Sequence, residues 1–277
     1  MIEKIMKAVK SGNKKRGRNI TVGAVVGMLL SCTVAMGAGE TGLEITKESD
    51  TIIFKDKDGT KFEPGTEKDP YPENRWDGNT YINNITLSGT SNDSSNGCGI
   101  SLKGDLGEFK FINNALITGT GAENEDYSYG IGIDNQRDTT ITELINNGSI
   151  KGTSAKSNNF VIFNDGTITT LTNNGSITGI STKGESNGIY NEYSTITTLT
   201  NNGSITGISI EGASYGIYSD GTITTLINTG VVYGGTNAIK NDSETGTISN
   251  AYNYGLLVSS TDETVSSVTL TKNLGLI

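Results

Sequence analysis

The chain has 277 residues, of which only 33% are apolar and 6% aromatic, so it is too poor in large apolar side chains for a globular core of that size. Histidine is absent, which excludes Ser/His/Asp and Cys/His triads, HExxH metalloproteases and imidazole-based zinc sites. The two cysteines, Cys32 and Cys98, provide no disulfide framework. With 37 glycines and recurring Asn, Thr, Ser and Ile, the composition favours a repetitive β architecture.

Residues 1–37 predict a secretory signal peptide. Residues 1–19 carry a net charge of +6, and residues 20–37 are uncharged and largely apolar. Small residues end this segment, which predicts cleavage between Gly37 and Ala38. Two alternatives are a retained membrane anchor and a lipoprotein signal, Leu29-Leu30-Ser31-Cys32, in which Cys32 would be acylated. We expect export with cleavage, and therefore a contact with the export machinery.

The charge of the remaining chain bears on its partners. Residues 1–37 contribute +6 to the overall charge of −9, so residues 38–277 carry −15. Such a surface repels nucleic acid and anionic lipid, because both are polyanions. We therefore expect no nucleic-acid role, and membrane contact only through the leader or through a translocator that is missing from this sequence.

Residues 38–80 differ from the rest and predict an N-terminal cap or linker. They hold all three prolines and the only tryptophan, Trp76. Two strand-like segments, 51–54 and 60–62, flank Asp58-Gly59, which is a hairpin turn signal. Asp56 to Gly59 also suggests a calcium loop, but the positions of the first acid and the bidentate Glu hold Phe54 and Gly65.

The segment 81–277 consists of repeats. The decapeptide TNNGSITGIS starts at Thr172 and again at Thr200, and a variant starts at Ile145. Aligning weaker copies gives three aliphatic columns and a glycine column. The first column holds Leu87, Ile117, Ile150, Ile177, Ile205, Val232 and Leu257; the second holds Ile100, Ile133, Ile162, Ile189, Ile217 and Ile239; the third holds Ile141, Ile168, Ile196 and Ile223. The glycines are Gly89, Gly119, Gly152, Gly179, Gly207 and Gly234.

Each repeat of about 27 residues therefore offers three short β-branched segments separated by Gly, Asn or Asp. This pattern predicts one coil of a parallel β-solenoid of the right-handed β-helix type, with three strands per coil, in an all-β protein. Strand side chains alternate in and out, so each coil buries only a few aliphatic residues. A single coil cannot form its own core, and the fold depends on stacking.

Asparagine pairs recur at one predicted corner of the coils. At that corner an Asn tolerates left-handed backbone, and its amide can bond to the equivalent amides above and below. The same positions match the N-glycosylation sequon at Asn147, Asn174 and Asn202. The pairs are Asn83-Asn84, Asn113-Asn114, Asn146-Asn147, Asn173-Asn174 and Asn201-Asn202.

The leader MIEKIMKAVKSGNKKRGRNITVGAVVGMLLSC resembles the autotransporter-associated N-terminal domain of Gram-negative bacteria. The repeats GIYNEYSTITTLTNNGSITGIS and GIYSDGTITTLINTGVVYG are similar to those of autotransporter passenger domains. The resemblance implies a surface-displayed β-helical passenger that a C-terminal β-barrel carries across the outer membrane, often for adhesion or virulence. No barrel pattern follows the repeats, so we expect a truncated reading frame, a fragment or a passenger served by another protein.

Three functions follow as hypotheses. The first is an exported, non-enzymatic surface or secreted protein that binds a host or neighbouring-cell surface component, with no catalytic, cofactor-binding or metal-ligating residue. The second is a polysaccharide lyase or glycosidase, because Asp134, Asp165, Asp220 and Asp242 follow the second column and are expected to cluster on one edge. The third is a binder of crystalline surfaces such as ice, through stacked Thr pairs: Thr140/Thr142, Thr167/Thr169, Thr195/Thr197 and Thr222/Thr224.

Overall fold

The computed structural model describes residues 41–242 and 244–277. The predicted signal peptide (1–37), its cleavage site between Gly37 and Ala38, and the alternative acylation site Cys32 lie outside the described residues. Within the described ranges, no helix has the length and apolarity needed to cross a bilayer.

The described chain folds as a parallel β-solenoid of about seven turns, with about 28 residues per turn, which confirms the predicted fold class. Three sheets run along the solenoid, and successive turns each add a strand to every sheet. The ten-strand sheet contains β1 (Thr41–Glu48), β2 (Thr51–Lys55), β3 (Lys61–Phe62), β7 (Gly97–Lys103), β10 (Gly130–Asn135), β13 (Asn159–Asn164), β16 (Ser186–Asn191), β19 (Ser214–Ser219), β22 (Asn237–Asn241) and β25 (Val265–Ser266).

The other two sheets follow the same stacking. The nine-strand sheet contains β4 (Arg75–Trp76), β5 (Thr80–Asn83), β8 (Lys110–Asn113), β11 (Thr140–Asn146), β14 (Thr167–Asn173), β17 (Thr195–Asn201), β20 (Thr222–Asn228), β23 (Thr247–Asn253) and β26 (Leu270–Asn273). The seven-strand sheet contains β6 (Leu87–Thr90), β9 (Leu116–Thr120), β12 (Ser149–Ser154), β15 (Ser176–Ser181), β18 (Ser204–Ser209), β21 (Val231–Gly234) and β24 (Leu256–Ser259).

The predicted aliphatic columns form the core. Ile150 pairs in register with Ile117 on one side and Ile177 on the other, and all three side chains are fully buried. In the nine-strand sheet Ile168 is buried, whereas the next residue, Thr169, is exposed. The structure therefore confirms the predicted inward and outward positions.

The glycine column is explained by close packing of two sheets. A Cβ on Gly119 would lie 1.8 Å from the carbonyl oxygen of Ile131, and one on Gly207 would lie 2.0 Å from the carbonyl oxygen of Tyr215. The seven-strand sheet thus meets the backbone of the ten-strand sheet with no room for a side chain. Neither of these glycines has positive φ, so space rather than backbone conformation selects them.

The N-terminal end of the solenoid is closed by antiparallel strands. β2 and β3 form the predicted hairpin, in which Phe54 pairs with Phe62, and they cover the outer edge of β1. β1 pairs in parallel with β7, so the stacked sheet begins at Thr41. The first strand of the stacked sheet thus precedes the hairpin, lies inside the segment 38–80 that was predicted as a cap or linker, and carries no copy of the repeat motif.

The turn at Asp56 serves the hairpin itself. The Asp56 carboxylate accepts hydrogen bonds from the backbone N–H groups of Asp58 and Thr60, at 2.9 and 2.8 Å. Gly59 completes the turn with φ of 74°. The turn interpretation of this segment is thereby supported by the contacts that its first carboxylate makes.

The first asparagine of each pair belongs to a buried ladder. The Nδ2 group of Asn146 donates to Oδ1 of Asn173 at 2.8 Å, and Asn173 donates to Asn201 at 2.8 Å. Each amide thus donates towards the C-terminal end of the solenoid. The ladder comprises the buried Asn83, Asn113, Asn146, Asn173, Asn201, Asn228 and Asn253 and ends at the exposed Asn273.

The second asparagine of each pair belongs to an outer ladder of opposite direction. Asn174 donates to Asn147 at 2.9 Å, and Asn202 donates to Asn174 at 2.9 Å, towards the N-terminal end. The amide ladder is therefore confirmed. The expected left-handed backbone is not found, because the described non-glycine residues with positive φ are Ser49, Asp138, Tyr193 and Ser267.

The register can be tested with two substitutions. We expect Ile177→Asp to reduce the free energy of unfolding by roughly 4 kcal/mol or more, because it buries an unpaired charge. Thr169→Asp should change it by about 0.5 kcal/mol or less, because the side chain is exposed. Urea unfolding of both variants measures the difference, and similar losses would show that the assigned faces are wrong.

The two asparagine ladders provide a second test on adjacent residues. Asn173→Ala should cost about 2 to 3 kcal/mol, because the buried Oδ1 of Asn201 loses its donor and Nδ2 of Asn146 loses one of its acceptors. Asn174→Ala, on the exposed outer ladder, should cost less than about 1 kcal/mol. Thermal unfolding of the pair gives the comparison, and a larger loss for Asn174→Ala would contradict the assignment.

Candidate functional site

Three of the four predicted aspartates lie in the turns that connect the ten-strand sheet to the nine-strand sheet. Asp165, Asp220 and Asp242 each follow the last residue of a ten-strand-sheet strand. Each donates its backbone N–H to the preceding coil, to the carbonyls of Asn135, Asn191 and Ser219 respectively. Glu192 occupies the same column, and the sequence analysis missed it because it sought aspartates only.

Asp134 does not join this column. It lies within β10 and pairs with Ser101 and Phe163, on the outer face of the ten-strand sheet. The expectation that all four aspartates share one edge is therefore wrong for Asp134. It comes one residue after its column isoleucine, Ile133, whereas the others come three residues after theirs.

The carboxylates of the turn column accept hydrogen bonds from several groups, and the Tyr190 hydroxyl lies within reach of two of them, Asp220 and, at 3.4 Å, Glu192. Asp165 accepts from Nε of Arg137 at 3.2 Å, and Asp220 accepts from the Tyr190 hydroxyl at 2.6 Å. Asp242 accepts from the backbone N–H of Glu244 at 2.9 Å. These contacts explain how acidic groups can stack along one edge. Within the described residues, no group of three His, Cys, Asp or Glu side chains is placed to hold a metal ion.

The buried and the exposed carboxyl groups of this region differ in their pKa values. Burial raises the pKa of Asp134 to about 6, with a further increase from the charge of Asp165, although a hydrogen bond from Gln136 opposes the shift. Burial also raises the pKa of Glu192, again with a contribution from Asp165. Carboxyl groups with unequal pKa values are the feature on which acid and base catalysis by carboxylates depends.

An aromatic stack covers the outer face of the ten-strand sheet and was not predicted. The rings of Phe160 and Tyr190 stack with centroids 5.0 Å apart, and those of Tyr190 and Tyr218 are 5.2 Å apart. Lys240 closes the stack, with Nζ 4.6 Å from the centre of the Tyr218 ring. Because most ring faces contact other rings, the stack holds neighbouring coils together. Phe163 lies in the same stack.

The outer face of the nine-strand sheet carries threonine rows, which we call the threonine face. Thr140, Thr167, Thr195 and Thr222 pair in register along the first row, as predicted. A second row of exposed threonines lies two residues further along β14, β17 and β20, whereas Thr142 of β11 is half-buried and donates its hydroxyl to the carbonyl of Gly107. The exposed row comprises Thr169, Thr197 and Thr224.

A recess, which we call the turn notch, opens where the turn column meets the threonine face. The turn Asp165-Gly166 has two residues, whereas the turns before and after it span 136–139 and 192–194. The shorter turn forms the floor, and Arg137 and Tyr193 form the walls. The notch is lined by Asp105, Arg137, Asp138, Thr139, Thr140, Asp165, Gly166, Thr167, Tyr193, Ser194 and Thr195.

The floor and walls of the notch are fixed by backbone geometry. A Cβ on Gly166 would lie 2.3 Å from the carbonyl oxygen of Thr139, so the floor admits no side chain. Tyr193 has φ of 45°, an uncommon value for a large residue, and 68% of it is exposed. Sequence reasoning missed the notch. The only signal is the one-residue insertion that makes this repeat longer than the next.

No protein-family model, curated protein or solved structure matches this chain. The geometry of the described surface is therefore the basis for assigning a function. That surface combines a threonine face, a partnered carboxylate column and one polar recess with an exposed aromatic wall.

The raised pKa of Asp134 predicts a pH dependence of stability. Because the folded-state value of about 6 lies above the ordinary value of 3.8, the folded state retains this proton more strongly. This contribution is fully present below about pH 4 and is lost as the pH rises through about 6. We expect Asp134→Asn to be more stable than the wild type at neutral pH, by up to about 3 kcal/mol, and to match it in acid.

Asp242→Asn is the control with the opposite sign. Hydrogen bonds from the backbone N–H groups of Glu244 and Thr245 lower the pKa of Asp242, so its contribution is present at neutral pH and lost as the pH falls through its folded-state pKa. Urea unfolding across the acidic to neutral range measures both variants. A wild-type advantage over Asp134→Asn at neutral pH would refute the assigned environment of Asp134.

Proposed function

We propose that this chain is an exported, non-enzymatic surface or secreted protein of the autotransporter-passenger type, which binds a host or neighbouring-cell surface component through its side faces. The observation that carries the proposal is the threonine face. Its hydroxyls repeat from coil to coil in register and point away from the core.

The geometry favours extended contact with a partner. Equivalent hydroxyls on successive coils offer many similar weak contacts along one direction, and such contacts add when one partner engages several of them. A threonine hydroxyl both donates and accepts hydrogen bonds, so the face suits a polar partner. Residues 38–277 carry a net charge of −15, which repels anionic partners and therefore favours neutral or basic ones.

Export and surface or extracellular location belong to the same proposal. They are supported by the basic-then-apolar leader and by the resemblance of the leader and repeats to autotransporter proteins. The fold is compatible with this function, and parallel β-solenoids also serve as enzymes.

The proposal is tested by binding of the full-length chain to intact cells and to their isolated envelopes. Replacing Thr169, then Thr197, then Thr224 by Ala should weaken retention step by step, because each change removes one hydroxyl from the same row. Thr178→Ala and Thr206→Ala, on the seven-strand sheet, form the matched control and should leave retention unchanged. Retention that is insensitive to the threonine face would overturn its role.

A glycoside-cleaving enzyme is the second candidate, because the raised pKa of Asp134 and the ionic partner of Asp165 place two different carboxyl environments on adjacent coils. The chain would then release reducing or unsaturated sugars from a polysaccharide panel. Loss of that release in Asp165→Asn or Asp220→Asn would replace the binding proposal with the enzymatic one.

A further inference from the structure

The turn notch offers three kinds of group within one recess. Tyr193 supplies an exposed aromatic ring, and Arg137 supplies a planar set of N–H donors. Asp105, Asp138 and Asp165 supply acceptors, while Thr140, Thr167 and Thr195 supply hydroxyls. A polar recess with one apolar wall suits a small polar ligand with an apolar face.

The ion pair at the floor determines which charges and hydrogen-bonding groups a ligand meets there. Arg137 has a side chain that is 73% exposed, and its Nε contacts Asp165, which is 16% exposed. The guanidinium thus neutralises this carboxylate, and both residues line the recess. The pair itself carries no net charge, so it offers a ligand hydrogen-bond donors and acceptors rather than an unpaired charge.

The outer charges exclude anionic ligands. Besides the paired Asp165, the lining carries Asp105 and Asp138, so carboxylates outnumber the single guanidinium. Phosphates, sulfates and uronates would therefore be repelled. An apolar ligand would find only one ring to contact, since the remaining lining is polar or charged.

We infer that the turn notch binds a neutral saccharide, with one sugar ring seated against Tyr193. The C–H face of a pyranose packs on an aromatic ring, and its neighbouring hydroxyls pair with the donors and acceptors of Arg137, Asp138 and Asp165. The threonine hydroxyls at the mouth continue into the threonine face, which gives a longer glycan a path along the coils. The inference rests on the proposed binding function and names its partner class and its principal site.

The test uses the full-length chain and a panel of immobilised oligosaccharides in neutral, amino-sugar and uronate classes. Tyr193→Gly removes the ring and suits the positive φ, so the fold should be kept or slightly stabilised. We expect it to lose about tenfold or more in affinity for the neutral saccharides that the wild type binds. Tyr127→Ala is the matched control, because Tyr127 is 75% exposed on a different turn, between β9 and β10.

The outcomes separate this inference from the proposed function. Loss of neutral-glycan binding in Tyr193→Gly but not in Tyr127→Ala supports the notch. Neutral-glycan binding that survives Tyr193→Gly, or a preference for uronates, overturns it. Retention on cell envelopes without binding to any neutral saccharide overturns the inference and leaves the binding function in place, whereas failure of both assays overturns both.

Discussion

Parallel stacking of coils is the constraint on which the rest of this structure depends. Backbone hydrogen bonds hold each strand in register with the equivalent strand of the next coil, so a side chain has residues of the same column as its nearest neighbours. Aliphatic columns then form a continuous core, and amides form ladders. Rings stack, as Tyr190 does on Tyr218.

Carboxylates gain nothing from such stacking, because like charges repel at one coil spacing. The column of Asp165, Glu192, Asp220 and Asp242 can exist because its members have partners of different kinds, such as Arg137 and the Tyr190 hydroxyl.

The two amide ladders show a further consequence of stacking. The buried ladder donates towards the C-terminal end, whereas the outer ladder donates towards the N-terminal end, so their amide dipoles oppose each other at the same corner. A ladder that donates in one direction leaves an acceptor unused at its first residue. Oδ1 of Asn83, the first amide of the buried ladder, is buried without a partner in the described chain. Oδ1 of Asn135, which begins a shorter ladder through Asn164 and Asn191, shares that property. Each coil that is added to a ladder therefore adds a bonded amide but no further unsatisfied acceptor.

Repetition also determines what the sequence could predict. The Ile150 and Ile177 column, the glycines and the asparagine pairs recur at a regular interval, and the structure places them in register as expected. Features present once gave no such signal. β1 belongs to the solenoid although it lacks the repeat motif. Asp134 lies outside the turn column because it precedes the turn position by two residues. The aromatic stack was not predicted although Tyr190 and Tyr218 share a repeat position, because only the aliphatic columns were aligned. The turn notch depends on differences in turn length between neighbouring coils, which only the stacked structure brings together.

Function is best sought where the repeat is interrupted. A regular column is already occupied by contacts between coils, as the face-to-face rings and the bonded amides show. Only the outermost groups of such a column remain for a partner, which limits the regular faces to weak, distributed contacts like those of the threonine rows. An inserted residue such as Tyr193 has no equivalent in the coils on either side. Its ring therefore remains exposed, and a rigid scaffold holds it beside the Arg137 and Asp165 pair. A side chain held by the fold but left without a stacking partner is available to a ligand at little cost in conformational entropy.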